Sequence, residues 1–389
     1  MELKLLEDNN SSNYSIKDKT EKNIYSTDTK NVNSPCKENK IKLTKFLDYK
    51  QDFEKLSITN PSLNEFIYRK HNKTFLDFRK ENCLLELNKA LFKDKYNINY
   101  WNMPTNGFLI PCLNSRESYL DWMYVLVECS IFDNYYNIKD VAIDIGTGCS
   151  LVYPLIGYSK FNFKFVGLEI NSKSIENCNE IIKYNNLESK IYIIKNKKNT
   201  IFRELNKLIE KSKNLKTCFS CIFFSSIKES QNCKCNLKNN NNNIISFSIC
   251  NPPYFRYCKD QNINKFCSFN NDEVVYEGGE EEFIKLIIKE SYLLKDKVLW
   301  FSTLIGTHKT YNDIKKFILN KIINKNISND ENTDNIKIML DNTLKTGNQS
   351  RWAIAWSFFD IKIDVKKYSI YKTNNNNYYK FIKEANNIV

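Results

Sequence analysis

The chain has 389 residues and 58 lysines and arginines against 45 aspartates and glutamates, which gives a net charge of +13. This length allows one large core or two modest domains, and the charge favours a polyanionic partner, although a lysine-rich genome bias gives the same number. The presence of only two histidines argues against histidine-based metal or triad chemistry, and the lack of an apolar run of roughly 20 residues argues against a membrane partner.

The amino-terminal segment is rich in Asn, Ser, Lys, Asp and Thr, so residues 1–40 are predicted to be a disordered tail. Its first residues are too charged for a signal peptide. The 13 cysteines are scattered and odd in number, which indicates free thiols in a reducing compartment. A run of lysines leads into the folded part and is either a phosphate-contacting arm or a solvated segment: Lys37, Lys40, Lys42, Lys45 and Lys50.

Apolar residues at helical spacing predict an amphipathic helix near 80–94 and a second over 119–127. Residues 41–112 are therefore expected to form a small, mostly helical extension. Arg116 lies at the start of the second helix. It is either an ordinary surface arginine or a clamp for a carboxylate group.

The first strand predicted to be buried, at 141–145, runs into a glycine turn. It contains Asp144 and is followed by Gly146, Gly148 and Ser150. Glycines at the carboxyl end of a strand let the backbone approach a ligand. The turn lacks both the third glycine of a dinucleotide fingerprint and the Lys-Ser/Thr of a phosphate-binding loop.

The next strand, at 163–169, ends in Glu169, roughly 20 residues past the turn. A carboxylate at this spacing typically binds both hydroxyls of a ribose. The glycine turn and Glu169 together indicate a cofactor that contains a nucleoside. A third strand at 191–194 and a polar turn that ends at Thr200 follow.

An insertion is predicted between about 203 and 243, ending in an asparagine run that we expect to be flexible, and a second polar insertion is predicted at 324–335. Cysteines in the first insertion have spacings that can hold a structural zinc ion. Because one pair is unusually tight and the other adjoins an apolar run, no metal is assigned. These residues are Cys218, Cys221, Cys233 and Cys235.

The most informative stretch is Asn-Pro-Pro-Tyr, directly after the apolar strand at 244–249. Pro252 and Pro253 end that strand because neither has an N–H for the ladder. The Asn251 side-chain oxygen and the carbonyl after it can each accept an N–H, and the Tyr254 ring can stack on a flat group. This combination suits an exocyclic amino group on a base; the alternative is an ordinary strand-ending turn.

Further strands are expected at 297–302, 336–340 and 351–358, with helices between most of them. Alternating strands and helices predict an α/β fold with a doubly wound sheet. The glycine turn and the Asn-Pro-Pro stretch should then meet at the carboxyl edge of the sheet. A nucleoside site beside such a stretch indicates methyl transfer from S-adenosyl-L-methionine to an exocyclic nitrogen of an unpaired, bulged or flipped base.

Four motifs resemble the methyltransferase-like protein sixteen family. They are Asp-Ile-Gly-Thr-Gly at 144–148, Asn-Pro-Pro-Tyr-Phe at 251–255, Glu-Gly-Gly-Glu-Glu-Glu-Phe at 277–283, and Arg-Trp-Ala-Ile-Ala-Trp-Ser-Phe at 351–358 after Gly347. That family contains U6 small nuclear RNA adenine-N6 methyltransferases and is related to the bacterial 23S ribosomal RNA methyltransferase F. The resemblance covers about residues 50–360, and the last motif is its most specific part.

The resemblance implies a Rossmann-like, seven-stranded class I methyltransferase domain at 113–362, followed by a tail at 363–389. It also implies catalysis by Asn251, Pro252, Pro253 and Tyr254. The extension at 41–112, the lysine run and Phe255 are expected to contact RNA. The expected cofactor contacts are Arg116, Asp144, Gly146, Gly148, Ser150, Glu169, Thr200 and Asn251.

Three differences separate the chain from the family. Tyr254 replaces the common phenylalanine, which preserves a stacking ring. Asn199 stands where the family's cofactor-gating loop has a lysine before the threonine, and lysines occur at 197 and 198 instead. The roughly 30 residues after the last strand give no room for the carboxy-terminal RNA-binding region of the animal members, so their RNA-stability role is not expected.

The expected substrate is a structured RNA with an exposed adenine; U6 small nuclear RNA is the first candidate and ribosomal RNA the second. A nuclear location follows, with a cytoplasmic one as the alternative. Methylation of a protein glutamine or a DNA adenine by the same tetrapeptide, and a non-catalytic RNA-binding scaffold, also remain open. The intact Asp144, Glu169 and Asn-Pro-Pro argue against the scaffold.

Overall fold

The computed structural model describes residues 52–104, 107–132, 137–214, 223–224, 243–256, 274–323, 336–346 and 349–370. The predicted tail at 1–40, the lysine run, the cysteines of the first insertion and the whole of the second insertion lie outside these residues.

The amino-terminal part of the described chain combines helices with a hairpin. Its elements are α1 (Phe53–Thr59), a 3-10 helix (Pro61–Phe66), strands β1 (Ile67–Lys70) and β2 (Lys73–Leu76), and α2 (Cys83–Tyr96). The expected helix near 80–94 corresponds to α2, whereas the hairpin was not predicted, because strands of four residues carry too little periodicity. A salt bridge of 2.5 Å between Lys95 and Glu117 joins α2 to the next helix.

A seven-stranded sheet forms the centre of the molecule, as predicted. Its order, β6-β5-β4-β7-β8-β10-β9, is parallel except for β10, which is antiparallel to both of its neighbours. The strands are β4 (Asn137–Ile145), β5 (Lys164–Glu169), β6 (Ile191–Lys195), β7 (Asn243–Cys250), β8 (Val298–Ile305), β9 (Ile338–Thr346) and β10 (Gln349–Ser357). Two short strands, β3 (Ser130–Ile131) and β11 (Lys362–Ile363), pair separately.

Helices cover both faces of this sheet. They are α3 (Leu113–Cys129), α4 (Val152–Phe161), α5 (Ser172–Tyr184), α6 (Arg203–Asn214), α7 (Gly279–Ser291) and α8 (His308–Ile323), with a short α9 (Val365–Ile370) near the end. Residues of α3, α4 and α5 belong to one buried cluster, and residues of α6, α7 and α8 belong to another. Strand β4 contributes Ala142 to the first cluster and Ile143 and Ile145 to the second, which explains why apolar residues occupy both faces of its second half.

The segment predicted as the first insertion begins with a regular element. Residues 203–214 form α6, which lies in the connection between β6 and β7. Leu205 and Ile209, four residues apart, are buried on one face of this helix. The prediction missed the helix because the polar asparagine run further along dominated the composition of the segment.

Strand β4 occupies the position at which the order of the sheet reverses. It pairs in parallel with β5 on one side, where Ile145 is opposite Leu168, and with β7 on the other, where Ile145 is opposite Cys250. The residues that follow these three strands therefore meet at one edge, which is where α/β sheets bind ligands. In the described part of the chain, no helix is both long and apolar enough to cross a membrane.

Candidate active site

The glycine turn after β4 is held against the neighbouring strand and leaves room beside it. The amides of Gly146 and Thr147 donate to the Leu168 carbonyl at 2.9 and 3.2 Å. Gly146 and Gly148 have φ values of +67° and +63°, which residues with a side chain rarely adopt. A Cβ built on Gly146 would meet no atom of the described residues within 4 Å. A ligand can therefore approach the backbone closely at this point.

Asp144 is a buried carboxyl group, and neither of its oxygens has a hydrogen-bond partner among the described residues. Burial raises the pKa of this group to about 8. An unpaired polar group in the interior is costly, and most such groups have a partner. A ligand that brings hydrogen-bond donors to Asp144 would remove this cost.

Glu169 lies at the end of β5 and faces the glycine turn. One carboxylate oxygen accepts the Gly148 N–H at 2.7 Å, and the other accepts the N–H groups of Ile170 and Asn171, both at 2.8 Å. These bonds to backbone amides fix the carboxylate beside the turn. A ribose at this place would share or replace them.

Asn251 is joined to Arg116 and to Tyr254. Its side-chain oxygen accepts a hydrogen bond from Arg116 Nη1 at 3.1 Å and another from the Tyr254 hydroxyl. The Arg116 guanidinium also lies over the Tyr153 ring, 5.7 Å from its centroid. The oxygen that was predicted to accept an amino group therefore lies where two donors already converge.

Tyr254 is held by residues from three elements. The Arg351 guanidinium, on β10, lies 4.6 Å from the centroid of its ring. Gly306, just after β8, is so close that an added Cβ would lie 2.7 Å from Tyr254 Cδ1. Glu280, on α7, accepts the Gly306 N–H at 2.5 Å and so fixes this glycine against the ring. Burial raises the pKa of the Tyr254 phenol, which keeps its hydroxyl protonated as a donor.

The chain after Tyr254 is tied to the segment that precedes α7. The Phe255 N–H donates to the Val274 carbonyl at 2.8 Å, and the Tyr276 N–H donates to the Phe255 carbonyl at 3.0 Å. The Phe255 side chain is partly buried. Its role in RNA binding stays a prediction.

Ser150 and Thr200 make bonds of a different kind. Ser150 is buried, and its carbonyl accepts the Trp101 indole N–H at 2.8 Å. The Thr200 hydroxyl donates to the Lys197 carbonyl at 2.9 Å, within its own turn, and Asn196 binds the Thr200 carbonyl at 2.9 Å. Both residues follow strands at the carboxyl edge of the sheet, and their contacts with a cofactor stay predictions.

Several residues around the site carried no prediction. Tyr153 lies in an otherwise apolar helical run, and its buried hydroxyl has no hydrogen-bond partner among the described residues. Gly306 gives no sequence signal, since its role depends on packing against a distant ring. Glu280 and Arg351 lie in motifs that were noted above, and their positions in those motifs were the available signal.

The predicted cysteine cluster cannot be placed, because Cys218, Cys221, Cys233 and Cys235 lie outside the described residues. Within the described ranges, no group of three or more His, Cys, Asp or Glu side chains is arranged to hold a metal ion.

Comparison with known proteins gives matches over most of the chain. The profile of a family described as RNA methyltransferase matches residues 42–360. The Dictyostelium discoideum U6 small nuclear RNA (adenine-(43)-N(6))-methyltransferase is 31% identical over 79% of this chain and 53% of its own length. The Flavobacterium johnsoniae ribosomal RNA large subunit methyltransferase F is 29% identical over 77% of this chain and 92% of its own length. The chain thus spans about half the length of the Dictyostelium relative.

Solved structures agree in fold. The human METTL16 catalytic domain in complex with a MAT2A 3′UTR hairpin superposes with a TM-score of 0.59 at 21% identity, over 81% of this chain and 96% of that one. The N-terminal domain of human METTL16 gives a TM-score of 0.56 at 24% identity, over 81% of this chain and 96% of that one.

Proposed function

Because the chain belongs to this family of RNA methyltransferases, we propose that it transfers a methyl group from S-adenosyl-L-methionine to the N6 amino group of an adenosine in a structured RNA. U6 small nuclear RNA is the first candidate substrate. The observation that carries this proposal is the convergence of Arg116 and Tyr254 on the Asn251 side-chain oxygen, at the edge where the glycine turn also lies.

The residues at the glycine turn fit the proposed cofactor. Asp144 lacks hydrogen-bond donors among the described residues, the space beside Gly146 is open, and Glu169 is fixed at the adjoining strand end. Asp144 and Glu169 would accept hydrogen bonds from the nucleoside part, and Arg116 would pair with the carboxylate of the amino acid part. When bound, the cofactor supplies an already activated methyl group.

The Asn-Pro-Pro-Tyr stretch fits the acceptor base. The side-chain oxygen of Asn251 is an acceptor that already binds two donors, so an amino N–H of adenine can replace one of them. The Tyr254 ring, fixed by Arg351 and Gly306, provides a rigid surface for stacking. The protein mainly positions the amino nitrogen, because the methyl donor needs no further activation.

The choice of U6 RNA rests on the first relative and on charge. That relative is named for U6 small nuclear RNA, and a nuclear site of action would follow for this chain. The net charge of +13 suits a polyanion. Ribosomal RNA is the second candidate, because the bacterial relative has the higher coverage of its own length.

The proposal is tested by offering the purified protein methyl-labelled S-adenosyl-L-methionine with a U6 hairpin, a ribosomal RNA fragment, a DNA oligonucleotide or a glutamine-containing peptide. N6-methyladenosine in the digested U6 hairpin is the expected product. A hairpin with guanosine at the target position is the matched substrate control. Label in the peptide or the DNA alone would overturn the proposal. Label in the ribosomal fragment alone would show that ribosomal RNA, not U6 RNA, is the substrate.

Asn251→Ala is the matched enzyme control. Loss of an acceptor for a hydrogen bond that strengthens as charge develops should lower kcat on the order of tenfold to a hundredfold. The variant should stay folded with a lowered melting temperature, because Asn251 is partly exposed at a strand end but accepts hydrogen bonds from Arg116 and Tyr254. Near-normal methylation by this variant would mean that the tetrapeptide has a structural role only.

A further inference from the structure

The hairpin of β1 and β2 has one anchored face and one open face. Its register pairs Tyr68 with Phe75 and Lys70 with Lys73, and the alternation of strands places all four side chains on the same face. The remaining residues of the two strands point to the opposite face. The two faces differ sharply in their surroundings.

The anchored face packs on the rest of the extension. Leu76 is buried in the core. Arg69 Nη2 and Thr74 Oγ1 both donate to Glu54 Oε1, at 2.9 and 2.8 Å. The hairpin is therefore joined to α1 through its anchored face.

The open face carries two aromatic rings in solvent. Tyr68 is 46% exposed and Phe75 is 37% exposed. Their ring centroids lie 5.6 Å apart, and the ring planes differ by 22°, so the rings stack on each other. Two adjacent exposed rings form a flat apolar surface on which another planar group can stack.

The same face is positively charged. Lys70 and Lys73 are exposed and lie directly opposite each other across the hairpin, and no acidic residue belongs to this face. Like charges at opposed positions destabilise a strand pair. A bound anion would relieve this repulsion, so the arrangement favours a negatively charged partner with planar groups.

We propose that this face, made of Tyr68, Lys70, Lys73 and Phe75, is a stacking platform for an unpaired nucleotide of the RNA, with the lysines on its flanking phosphates. The proposal rests on the proposed function in taking RNA as the substrate. Within the 41–112 extension, which is expected to contact RNA, it assigns one such contact to a specific element, the hairpin. Aromatic rings beside cationic side chains are the usual means of binding single-stranded nucleic acid.

The test measures RNA binding by fluorescence anisotropy with the full chain. The probes are a U6 hairpin that carries single-stranded flanks and the same hairpin with blunt ends. The double variant Tyr68→Ala, Phe75→Ala should bind the flanked RNA about fivefold or more weakly than the wild type does and should bind the blunt RNA unchanged. Tyr68→Phe, which keeps the ring, should bind the flanked RNA as the wild type does.

Tyr184→Ala is the matched control. Tyr184 is 60% exposed and packs on Tyr100, which is hydrogen-bonded to Glu180, so it is an exposed aromatic ring outside the hairpin. Its loss should leave RNA binding unchanged. A control that weakens binding as much as the double variant would overturn the platform.

Lys70→Gln and Lys73→Gln give an independent measurement. Each should reduce the slope of log affinity against log salt by about 0.7 for the flanked RNA. Equal binding of flanked RNA by the wild type and the double variant, with unchanged salt slopes, would refute the platform whatever the enzyme methylates. A wild type that binds flanked RNA through these residues but transfers no methyl group would refute the proposed function and leave the platform standing.

Discussion

Arg116 Nη1 lies 3.1 Å from Asn251 Oδ1, and this bond joins residues that are 135 positions apart in the chain. It connects the start of α3 with the turn after β7. If the carboxylate of the cofactor attracts Arg116, Asn251 loses one donor at the moment when the adenine amino group needs its oxygen. Cofactor binding and base binding should therefore be coupled through this pair.

Arg116→Ala should weaken cofactor binding by about 1.5–3 kcal/mol, the range for a hydrogen bond to a charged group. It should also reduce the effect of S-adenosylhomocysteine on RNA affinity, because the link to Asn251 is gone. Calorimetry gives the first quantity, and RNA titrations with and without S-adenosylhomocysteine give the second. Unchanged coupling in a folded Arg116→Ala variant would show that the pair does not connect the two sites.

Glu169→Ala removes a carboxylate that accepts three backbone N–H groups beside the glycine turn. We expect the free energy of cofactor binding to weaken by about 1.5–3 kcal/mol or more, because each proposed hydrogen bond between the Glu169 carboxylate and the ribose is charge-assisted. Glu169→Gln keeps one acceptor oxygen, so its cofactor affinity should lie between those of the wild type and Glu169→Ala. If calorimetry finds wild-type affinity in folded Glu169→Ala, the ribose assignment is wrong.

Because Asp144 is buried, we expect the stability of the protein to depend on pH. Burial raises its pKa from the ordinary 3.8 to about 8, so the folded state binds a proton that the unfolded state releases between these values. The contribution of this group to the free energy of unfolding should be most favourable at low pH. It should fall as the pH rises from about 4 to 8, because ionisation of a buried carboxyl group is unfavourable.

The measurement is the melting temperature of the cofactor-free protein from pH 5 to 9, compared between the wild type and Asp144→Asn. The variant cannot ionise at this position, so its melting temperature should decline less as the pH rises. Parallel curves for the two proteins would show that Asp144 is not the titrating group. Cofactor affinity should also fall in the variant if Asp144 accepts hydrogen bonds from the ligand.

The sheet and its ligand edge were predictable for a physical reason. Buried parallel strands are continuous apolar runs, and a glycine turn after one and a Pro-Pro pair after another mark their ends without any knowledge of packing. Parallel strand ends share an edge, so Gly146 and Asn251 had to lie close together. Contacts that depend on tertiary packing have no comparable signal in the sequence.

Tyr153 and Gly306 are site residues that the sequence alone could not identify. Tyr153 looks like any aromatic residue in an apolar helix, and only the fold places Arg116 over its ring. The hairpin of β1 and β2 escaped prediction because strands of four residues carry too little periodicity, and the aromatic rings on its exposed face weaken the alternation further. Helix α6 escaped because composition was averaged over a segment that also contains an asparagine run.

Tyr254→Phe separates the hydroxyl from the ring. The substitution removes one of the two donors to Asn251 Oδ1 but keeps the ring and its contacts with Arg351 and Gly306. Turnover should change by no more than about tenfold, the size of one ordinary hydrogen bond. Tyr254→Ala should lose more than Tyr254→Phe, because it removes the hydroxyl and also a ring whose stacking with a base is worth about 1–3 kcal/mol. Single-turnover rates with saturating RNA measure both, and equal losses in the two variants would mean that the hydroxyl, not the ring, is what matters.

Gly306→Ala tests whether the position of the Tyr254 ring controls methyl transfer. The new methyl group would lie 2.7 Å from Tyr254 Cδ1 and 3.2 Å from Glu280 Oε1, and contacts under 3.0 Å force a shift. Because the atoms that this methyl group would meet belong to Tyr254 and Glu280, and not to the glycine turn, we expect cofactor affinity to stay unchanged. The single-turnover rate should fall at least about tenfold, since small displacements of a positioning group have large effects on rate. Val298→Ala, a cavity-forming change in β8, the strand that precedes Gly306, is the stability control: it should lower the melting temperature with little effect on the rate of the folded enzyme. Wild-type turnover in Gly306→Ala would show that the ring tolerates displacement and that stacking on Tyr254 does not set the geometry of transfer.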